Sequence, residues 1–499
     1  MVEKIKNTIK NNNDKLYIII FAVTIFLTCI SAFVPILISG DELWNFNNIY
    51  KMYNGYTIYK DTNVIITPLF CIVGNLLFNI FGANMFVFRV YNVLLYMLLY
   101  LVIYILLKKL KINKIKSMSY VLVVGEILFK IISGGANYNI FSIIFVISGM
   151  IIEIANKEKT YKYKYDILQG IFIFLIFLTK QNIAVFYIIG IVMYRMFIDK
   201  DNKNKIKSIL VTFSIALMLF ITFIIILLKL GILESFINMA VLGLREFGAE
   251  NIHVNIRHMI AILILGVSIA AVILVYKFKV KDKEQEQYDN MKFLVTFAIP
   301  MLFITYPIAN THHVMVASIV SIILIIYIIE TLILNDIINE KLSKKAFKII
   351  VGMILIELSL FYFGYFNYAS QYASNKKLEY SNPYFGITIT KEIETNIENV
   401  TKYINESDEE VIILSNRAAL YMIPFKRNNG IMDLPFFGNM GKDGEEELLK
   451  QISQLSNTQI LIYNGEREYQ ESEKAIEYIK NNFEQIGEIE EFLIYKTKK

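Results

Sequence analysis

The sequence predicts a polytopic α-helical membrane protein with about eleven transmembrane helices, followed by a small α/β domain outside the membrane. Hydrophobic residues make up 56% of the 499 residues and charged residues 19%, and the mean hydropathy is +0.49. Soluble domains average roughly 45–50% apolar and about 25% charged residues. Long apolar stretches recur through the first three quarters of the chain. From about residue 376 the chain turns acidic, with 22 acidic against 15 basic residues.

This composition excludes a water-soluble globule and an intrinsically disordered chain. The two cysteines, Cys29 and Cys71, are too few for a disulfide framework. The formal net charge of +6 does not indicate nucleic-acid binding, because the tail is acidic and the positive excess lies in the membrane part. We therefore expect no nucleic-acid partner.

Each predicted span is an apolar run that can cross a hydrocarbon core of roughly 30 Å, for which a helix needs about 20 residues. The eleven candidates are Leu16–Ile38, Met85–Leu107, Ser117–Ile132, Ile140–Ala155, Ile167–Thr179, Ile183–Phe197, Ile206–Leu230, Met259–Tyr276, Phe293–Ile308, Val314–Leu334 and Phe347–Phe366. The first run is too long for a cleavable signal peptide, and no small-residue cleavage site follows it. We expect it to remain as the first membrane helix.

Lysine-rich loops set the predicted orientation, because Lys and Arg collect in short loops on the cytoplasmic side. The clusters lie at residues 108–116, 157–164, 200–207, 277–283 and 341–348. Every second loop is lysine-rich only if a twelfth apolar run, Val64–Phe81, does not cross. We therefore expect a multi-pass protein of the plasma membrane, with a cytoplasmic N-terminus and an extracytoplasmic C-terminal domain.

Two domains are expected: a transmembrane domain at residues 1–375 and an extracytoplasmic α/β domain at residues 376–499. Apolar runs and helical spacing in the tail predict alternating helices and strands. The predicted strands are Glu409–Ser415, Gln459–Asn464 and a final strand within Phe483–Lys496, and the predicted helices are Thr388–Asn405, Gly444–Leu455 and Glu471–Asn482. The tail holds no cysteine, histidine or glycine-rich phosphate loop. We expect it to be a shape element or a lid.

The first outside loop, residues 39–84, begins with two adjacent carboxylates, Asp41 and Glu42, directly after the first span. Carboxylates at a bilayer boundary are costly unless they are solvated, paired or used. The pair therefore either ends the span at the water interface or takes part in chemistry. Trp44 is the only tryptophan, and the tyrosines that follow it are typical of side chains at headgroup depth.

The same loop is expected to hold two helices that lie along the membrane. Trp44, Asn48 and Met52 recur at i+4, so residues 42–53 can form an interfacial helix. The second is Ile65–Phe81, an apolar run that the lysine pattern places outside. Two such helices would wall a groove beside the carboxylates, suited to a substrate with a lipid tail and a polar head.

An ordered set of residues runs through this loop. It comprises Asp41-Glu42, the run Gly55–Asp61, Pro68-Leu69, Phe81-Gly82 and Arg89. The set resembles the first outside loop of membrane glycosyltransferases with the GT-C fold, most of all the protein O-mannosyltransferase (family 39) and ArnT-like branch. The specific motif is confined to about residues 39–92, whereas the likeness in architecture covers most of the chain.

The resemblance implies an inverting glycosyltransferase. It would move a sugar from a polyprenyl-phosphate donor to a hydroxyl of an envelope glycan, lipid or protein on the outer face of the membrane. The reaction passes through an oxocarbenium-like state, and the acceptor hydroxyl needs a base. Family precedent implies Asp41 as that base and Glu42 as a neighbour that binds acceptor or adjusts the pKa. Tyr59 and Asp61 are candidate sugar ligands, although Asp61 also suits a plain turn.

The departing lipid phosphate needs positive charge or strong hydrogen-bond donors. Arg89 opens the second span on the outer side, where it either binds phosphate bidentately or snorkels to the interface. Lys180 and Gln181 lie where two short apolar runs meet. A lysine in such an apolar region needs a partner, and the resemblance favours carrier phosphate as that partner.

Two later outside loops add candidates for phosphate binding. Arg245 and Arg257 belong either to a segment that covers the groove or to a solvated loop. His312 and His313 precede the tenth span and could donate hydrogen bonds to phosphate. Adjacent histidines point in different directions and no tetrahedral ligand spacing is present, so we expect no metal site and no cofactor.

Two other classes of function compete with this interpretation. A transporter or flippase of lipid-linked saccharides needs charged residues near span midplanes or broken helices. The prominent charges are Glu126, Lys130 and Glu357, and the first two are i,i+4 partners that can form a structural pair. A non-catalytic envelope protein would use its outside domain to bind a partner, and it would tolerate Asp41→Asn.

Overall fold

A computed structural model gives the fold of this chain. It describes residues 12–37, 40–132, 137–157, 163–198, 205–244, 256–279, 285–305, 311–335, 337–372, 377–427, 429–436, 439–465 and 471–498. The fold is mostly helical, and a four-stranded sheet lies near the C-terminus. This is the polytopic helical fold with a small α/β domain that the sequence predicts.

A helix overlaps each of the eleven predicted spans. In chain order the helices of this part are α1 (Asn12–Ile30), α2 (Gly40–Tyr53), α3 (Leu69–Phe81), α4 (Met85–Lys109), α5 (Lys114–Ile132), α6 (Tyr138–Lys157), α7 (Tyr163–Thr179), α8 (Gln181–Met193), α9 (Lys205–Lys229), α10 (Leu233–Phe236), α11 (Ile256–Lys279), α12 (Gln285–Leu302), α13 (Thr311–Leu334) and α14 (Glu340–Tyr372). Wider π-helical turns, Tyr194–Ile198 and Ile237–Leu242, extend α8 and α10. Among the described residues, six of these helices are long and apolar enough to cross a membrane.

The first outside loop contains the two expected helices, α2 and α3, but α3 is shorter than predicted. It begins at Leu69 rather than Ile65, because a residue before proline is biased away from helical conformation and Pro68 stands directly before the helix. One face of α3 is exposed and apolar, as expected of a helix that lies on lipid. That face comprises Ile72, Leu76 and Ile80, which recur at i+4.

The aromatic residues of α2 do not lie at an interface as expected. Trp44 and Tyr50 are both buried within the protein. The reason is that the C-terminal domain packs on α2 and covers it. The tyrosine that ends the helix, Tyr53, remains exposed.

The tail folds as an α/β unit around one mixed sheet. Its elements are α15 (Lys391–Glu406), β1 (Glu410–Leu414), α16 (Ala418–Met422), α17 (Gly444–Ser453), β2 (Thr458–Tyr463), α18 (Glu473–Asn482), β3 (Phe483–Ile489) and β4 (Phe492–Thr497). The strand order is β1-β2-β4-β3, with β1 parallel to β2 and the other pairs antiparallel. The single final strand that the sequence predicts is therefore a hairpin, which turns at Glu490 with positive φ.

The tail is joined to the outer end of α4 by backbone hydrogen bonds. The Met85 amide donates to the Pro383 carbonyl at 2.9 Å, and the Phe86 amide donates to the Phe385 carbonyl at 3.0 Å. Gly386 has positive φ, and a Cβ there would lie 2.7 Å from Cβ of Phe86, so only glycine fits this close approach. The first outside loop and the C-terminal domain consequently lie on the same side of the helical bundle.

Candidate active site

Helix α2, which bears Asp41 and Glu42, is buried along nearly its whole length although many of its residues are polar. Residues 42–51 are all buried. Its apolar side packs on α3, where the rings of Phe46 and Phe78 lie 5.6 Å apart and Ile49 sits directly against Gly74. A polar helix of this kind does not stand alone, so its neighbours fix the position of the two carboxylates.

The two adjacent carboxylates occupy different environments. Asp41 is exposed in the first turn of α2, whereas the side chain of Glu42 is only 2% exposed. Arg89 of α4 holds Glu42 bidentately, with Nε–Oε1 at 2.8 Å and Nη2–Oε2 at 3.0 Å. Arg89 also donates to the carbonyls of Val34 and, at 2.6 Å, of Ile36. It thereby ties the end of the first span to α2 and α4.

These contacts determine what Arg89 and Glu42 can do. They occupy four of the five N–H groups of the Arg89 guanidinium. A buried, bidentate ion pair holds the elements that carry its two residues in place. Removing one partner leaves the other charge buried and uncompensated. The geometry therefore favours a positioning role for Arg89 and Glu42, and it leaves the Asp41 carboxylate as the one that faces outward.

Lys180 lies in the one-residue break between α7 and α8, outside both helices. Its side chain is 8% exposed, and its Nζ donates to Oδ1 of Asn139 at 2.6 Å and lies 5.4 Å from the ring centre of Tyr138. The Tyr138 hydroxyl in turn lies within electrostatic range of Asp41. Burial lowers the pKa of the Lys180 amine to about 7. The pair Tyr138 and Asn139, at the start of α6, thus surrounds the Lys180 amine.

Gln181 and Asn182 are the polar residues that line an apolar cavity of about 690 Å³. Gln181 Nε2 donates to the carbonyls of Ile65 at 3.1 Å and Ala240 at 2.8 Å, which ties two outside segments together. Oδ1 of Asn182 is buried and has no hydrogen-bond partner among the described residues. The remaining lining is apolar and comes mainly from α7, α8 and α9. Such a cavity suits the hydrocarbon part of a ligand.

Tyr59 and Asp61 hold the shape of the first outside loop. Oδ2 of Asp61 accepts from the Thr57 amide at 2.7 Å, which is the geometry of a turn. Tyr59 has a φ of 68° and is buried, and its hydroxyl donates to the Ile66 carbonyl at 2.9 Å. Burial raises the pKa of the Tyr59 phenol well above its usual value.

For the other predicted site residues, the described part of the chain shows no contact with the residues above. Arg245 and the side chains of Arg257, His312, Glu126 and Lys130 lie outside the described residues. His313 is half-buried in the first turn of α13. Among the residues that the structure describes, no group of three or more His, Cys, Asp or Glu side chains could hold a metal ion.

Sequence reasoning missed Tyr138, Asn139 and Asp433. Tyr138 and Asn139 lie at the start of α6, where a predicted span meets an outside loop. This position could have marked them as candidate site residues. Asp433 is different, because it lies in the C-terminal domain and pairs with Lys51 and Asn47 of α2. Nothing in the local sequence around Asp433 indicates a partner so distant in the chain.

Comparison with known proteins identifies the fold. No protein-family model and no curated protein matches the sequence. Among solved structures, ArnT from Cupriavidus metallidurans bound to undecaprenyl phosphate is similar with a TM-score of 0.56 and 8% identity, over 96% of this chain and 97% of that one. An oligosaccharyltransferase from Archaeoglobus fulgidus, tethered to an acceptor peptide, is similar with a TM-score of 0.51 and 12% identity, over 90% of this chain and 69% of that one. Both are GT-C-fold glycosyltransferases, so the predicted GT-C, ArnT-like fold is confirmed.

Proposed function

We propose that this protein is an inverting glycosyltransferase. It moves a sugar from a polyprenyl-phosphate carrier to a hydroxyl of an envelope acceptor on the outer face of the plasma membrane. The observation that supports this most is the buried Lys180 amine, which Asn139 and Tyr138 contact, together with the exposed Asp41 carboxylate, which lies within electrostatic range of the same Tyr138. The GT-C fold and its ArnT and oligosaccharyltransferase neighbours support the same reaction class.

The apolar cavity beside Gln181 suits the prenyl chain of the donor. Its walls include Val185 and Leu217, which are exposed on the surface of the bundle, so a lipid can enter from the side. Its two polar lining residues, Gln181 and Asn182, directly follow Lys180 in the chain. A prenyl phosphate has this same division between a hydrocarbon chain and an anionic head.

Lys180 would stabilise the negative charge that develops on the carrier phosphate as the glycosidic bond breaks. Charge stabilisation in a site that excludes water is worth more than in bulk solvent. The Asn139 side chain fixes the amine in place at 2.6 Å. Lys180 is therefore assigned to the leaving group and not to the acceptor.

Asp41 would act on the acceptor. Its carboxylate removes the hydroxyl proton while the oxygen attacks the anomeric carbon from the face opposite the phosphate, and the bond from that carbon to the phosphate oxygen breaks. The products are an inverted glycoside and free polyprenyl phosphate. The Glu42–Arg89 pair contributes by fixing the first turn of α2, which sets the direction of Asp41.

The test uses the purified full-length protein in lipid nanodiscs with radiolabelled polyprenyl-phosphate hexoses and a disaccharide as hydroxyl acceptor, and it measures the labelled glycoside formed and the free carrier phosphate released. We expect Asp41→Asn to reduce release at least a hundredfold, because the base is lost. Asp408→Asn, which changes an exposed carboxylate of the C-terminal domain, is the matched control and should retain wild-type activity. Full activity of Asp41→Asn would refute Asp41 as the base. No release by the wild-type protein would refute the transferase proposal and favour transport or partner binding.

A further inference from the structure

The side of α2 that carries Asp41 continues into a row of buried polar side chains. Asp41, Trp44, Asn48 and Lys51 are spaced by three, four and three residues, so they lie on one face of the helix. At 1.5 Å per residue the row is about 15 Å long, which is long enough for more than one sugar ring. Trp44 is 7% exposed and Asn48 and Lys51 are each 2% exposed.

Two donors in this row have no partner among the residues that the structure describes. Nε1 of Trp44 and Nδ2 of Asn48 are buried and make no hydrogen bond there. Burying an N–H group without an acceptor costs free energy, and native proteins rarely leave such groups unsatisfied. Two of them on one helix face, beside an exposed carboxylate, indicate a surface built for a polar ligand.

The C-terminal domain adds an acceptor to the same face. The helical turn Gly430–Asp433 places Oδ2 of Asp433 against Lys51, as an ion pair, and against Nδ2 of Asn47 at 2.9 Å. Oδ1 of Asp433 is buried, and none of the described residues forms a hydrogen bond with it. Asn63 of the first outside loop donates to the Leu434 carbonyl at 3.0 Å, which holds this turn in place.

We propose that Trp44, Asn48 and Asp433 bind the hydroxyl groups of a saccharide acceptor, and that the C-terminal domain thereby takes part in acceptor selection. A hydroxyl both donates and accepts, so a polyol can satisfy two N–H donors and one carboxylate oxygen together. The ligand is neutral, because Lys51 already balances the charge of Asp433. The assignment to acceptor rather than donor rests on the proposed function, in which the acceptor hydroxyl binds at Asp41.

The first test measures binding without any transfer. Trp44 is the only tryptophan of the chain, so indole fluorescence of the full-length protein in detergent micelles, which add no tryptophan, reports on this row alone. The probes are neutral disaccharides: cellobiose, mannobiose, N,N′-diacetylchitobiose and galactobiose. We expect at least one of them to produce a saturable change in emission. No saturable change with any of the four would overturn the proposal.

Asn48→Leu separates binding from a structural role. It replaces the amide by an apolar group with the same number and branching of side-chain heavy atoms, so the melting temperature should not fall, whereas the Kd for the disaccharide should rise at least tenfold. Asn405→Leu, at an exposed position of α15, is the matched control and should leave the Kd unchanged. Trp44→Phe keeps a ring but lacks the N–H, and equilibrium dialysis with labelled disaccharide should show a similar loss. An unchanged Kd in both variants contradicts the proposal.

A kinetic measurement distinguishes acceptor from donor. With the best disaccharide as acceptor, Asn48→Leu should raise the KM for the disaccharide at least tenfold and leave the KM for the polyprenyl-phosphate hexose within twofold. A rise in the donor KM alone would assign the row to the donor sugar and refute the acceptor proposal. Saccharide binding by a protein that releases no carrier phosphate would refute the proposed transferase function while leaving the saccharide site intact.

Discussion

At the residue scale, Asp41 and Glu42 show that two adjacent carboxylates on one helix can lie in different environments. Neighbouring residues in an α-helix point about 100° apart, so one carboxylate of α2 faces outward while the other points at Arg89. The sequence could predict that this pair matters. It could not predict which member is paired, because the partner lies on α4, far along the chain.

Glu42→Gln should destabilise the protein, whereas Asp41→Asn should not. Losing the Glu42 charge leaves the Arg89 guanidinium buried without a counter-ion, and removing one partner of a buried pair typically costs about 3–5 kcal/mol. Asp41 is exposed, so its replacement changes little in stability. Melting of each variant in nanodiscs, followed by circular dichroism, measures the difference. Equal melting temperatures for the two variants would contradict the assigned positioning role of Glu42.

Lys180 should make carrier binding depend on pH above neutrality. Its pKa of about 7 in the free protein means that it is protonated below pH 7 and progressively neutral above it. Phosphate prefers the protonated amine, so binding above pH 7 must take up a proton. The affinity should then fall by about tenfold per pH unit until the pKa of the occupied site is reached.

Calorimetric titration with farnesyl phosphate between pH 7 and 9 measures this dependence. The second ionisation of a phosphate monoester lies near pH 6, so the ligand charge is constant over this range. Lys180→Arg is the control, because a guanidinium remains protonated throughout, and its affinity should be nearly flat with pH. An equally steep fall in Lys180→Arg would exclude Lys180 as the titrating group.

At the element scale, the sequence predicts the ends of α2 closely, but it does not predict that the helix is buried. The first-turn carboxylates and the glycine after it mark a helix near residues 42–53, and the structure gives Gly40–Tyr53. The i+4 pattern suggested an interfacial helix because residue spacing shows which side chains share a helix face. It does not show which part of the protein covers that face. The burial of its polar side depends on the turn Gly430–Asp433, which only the tertiary fold supplies.

The contact between α2 and α3 should be sensitive to a single methyl group at Gly74. A Cβ at this position would overlap Cδ1 of Ile49, and overpacking of this kind typically costs about 1–3 kcal/mol. Gly74→Ala should lower the melting temperature and, because it shifts the helix that carries Asp41, reduce carrier-phosphate release as well. Gly352→Ala in α14 meets no atom within 4 Å and should be neutral or slightly stabilising. Equal melting temperatures and equal carrier-phosphate release for the two variants would show that the contact between α2 and α3 is loosely packed.

At the scale of the whole molecule, the tail contacts α2 and the outer end of α4, although these elements lie at opposite ends of the chain. Apolar run length predicted the spans, and alternating patterns predicted the elements of the tail, since both are local properties. The Lys51–Asp433 and Met85–Pro383 contacts join residues hundreds of positions apart. Local patterning carries no information on such pairings, so the sequence predicted a lid or shape element but not where it docks.

Orientation decides whether this joint site can do the proposed chemistry. The lysine clusters predict that residues 341–348 face the cytoplasm and that the C-terminal domain, with Asp41 beside it, faces outward. In a Cys29→Ser/Cys71→Ala background, a membrane-impermeant maleimide added to intact cells should label Asn405→Cys but not Lys341→Cys. Both positions are exposed in the fold, so lysed cells should give equal labelling and serve as the control. Labelling of Lys341→Cys alone in intact cells would place Asp41 on the cytoplasmic side, where an outer-face acceptor never reaches it, and the proposed reaction would fail whatever the geometry of its residues.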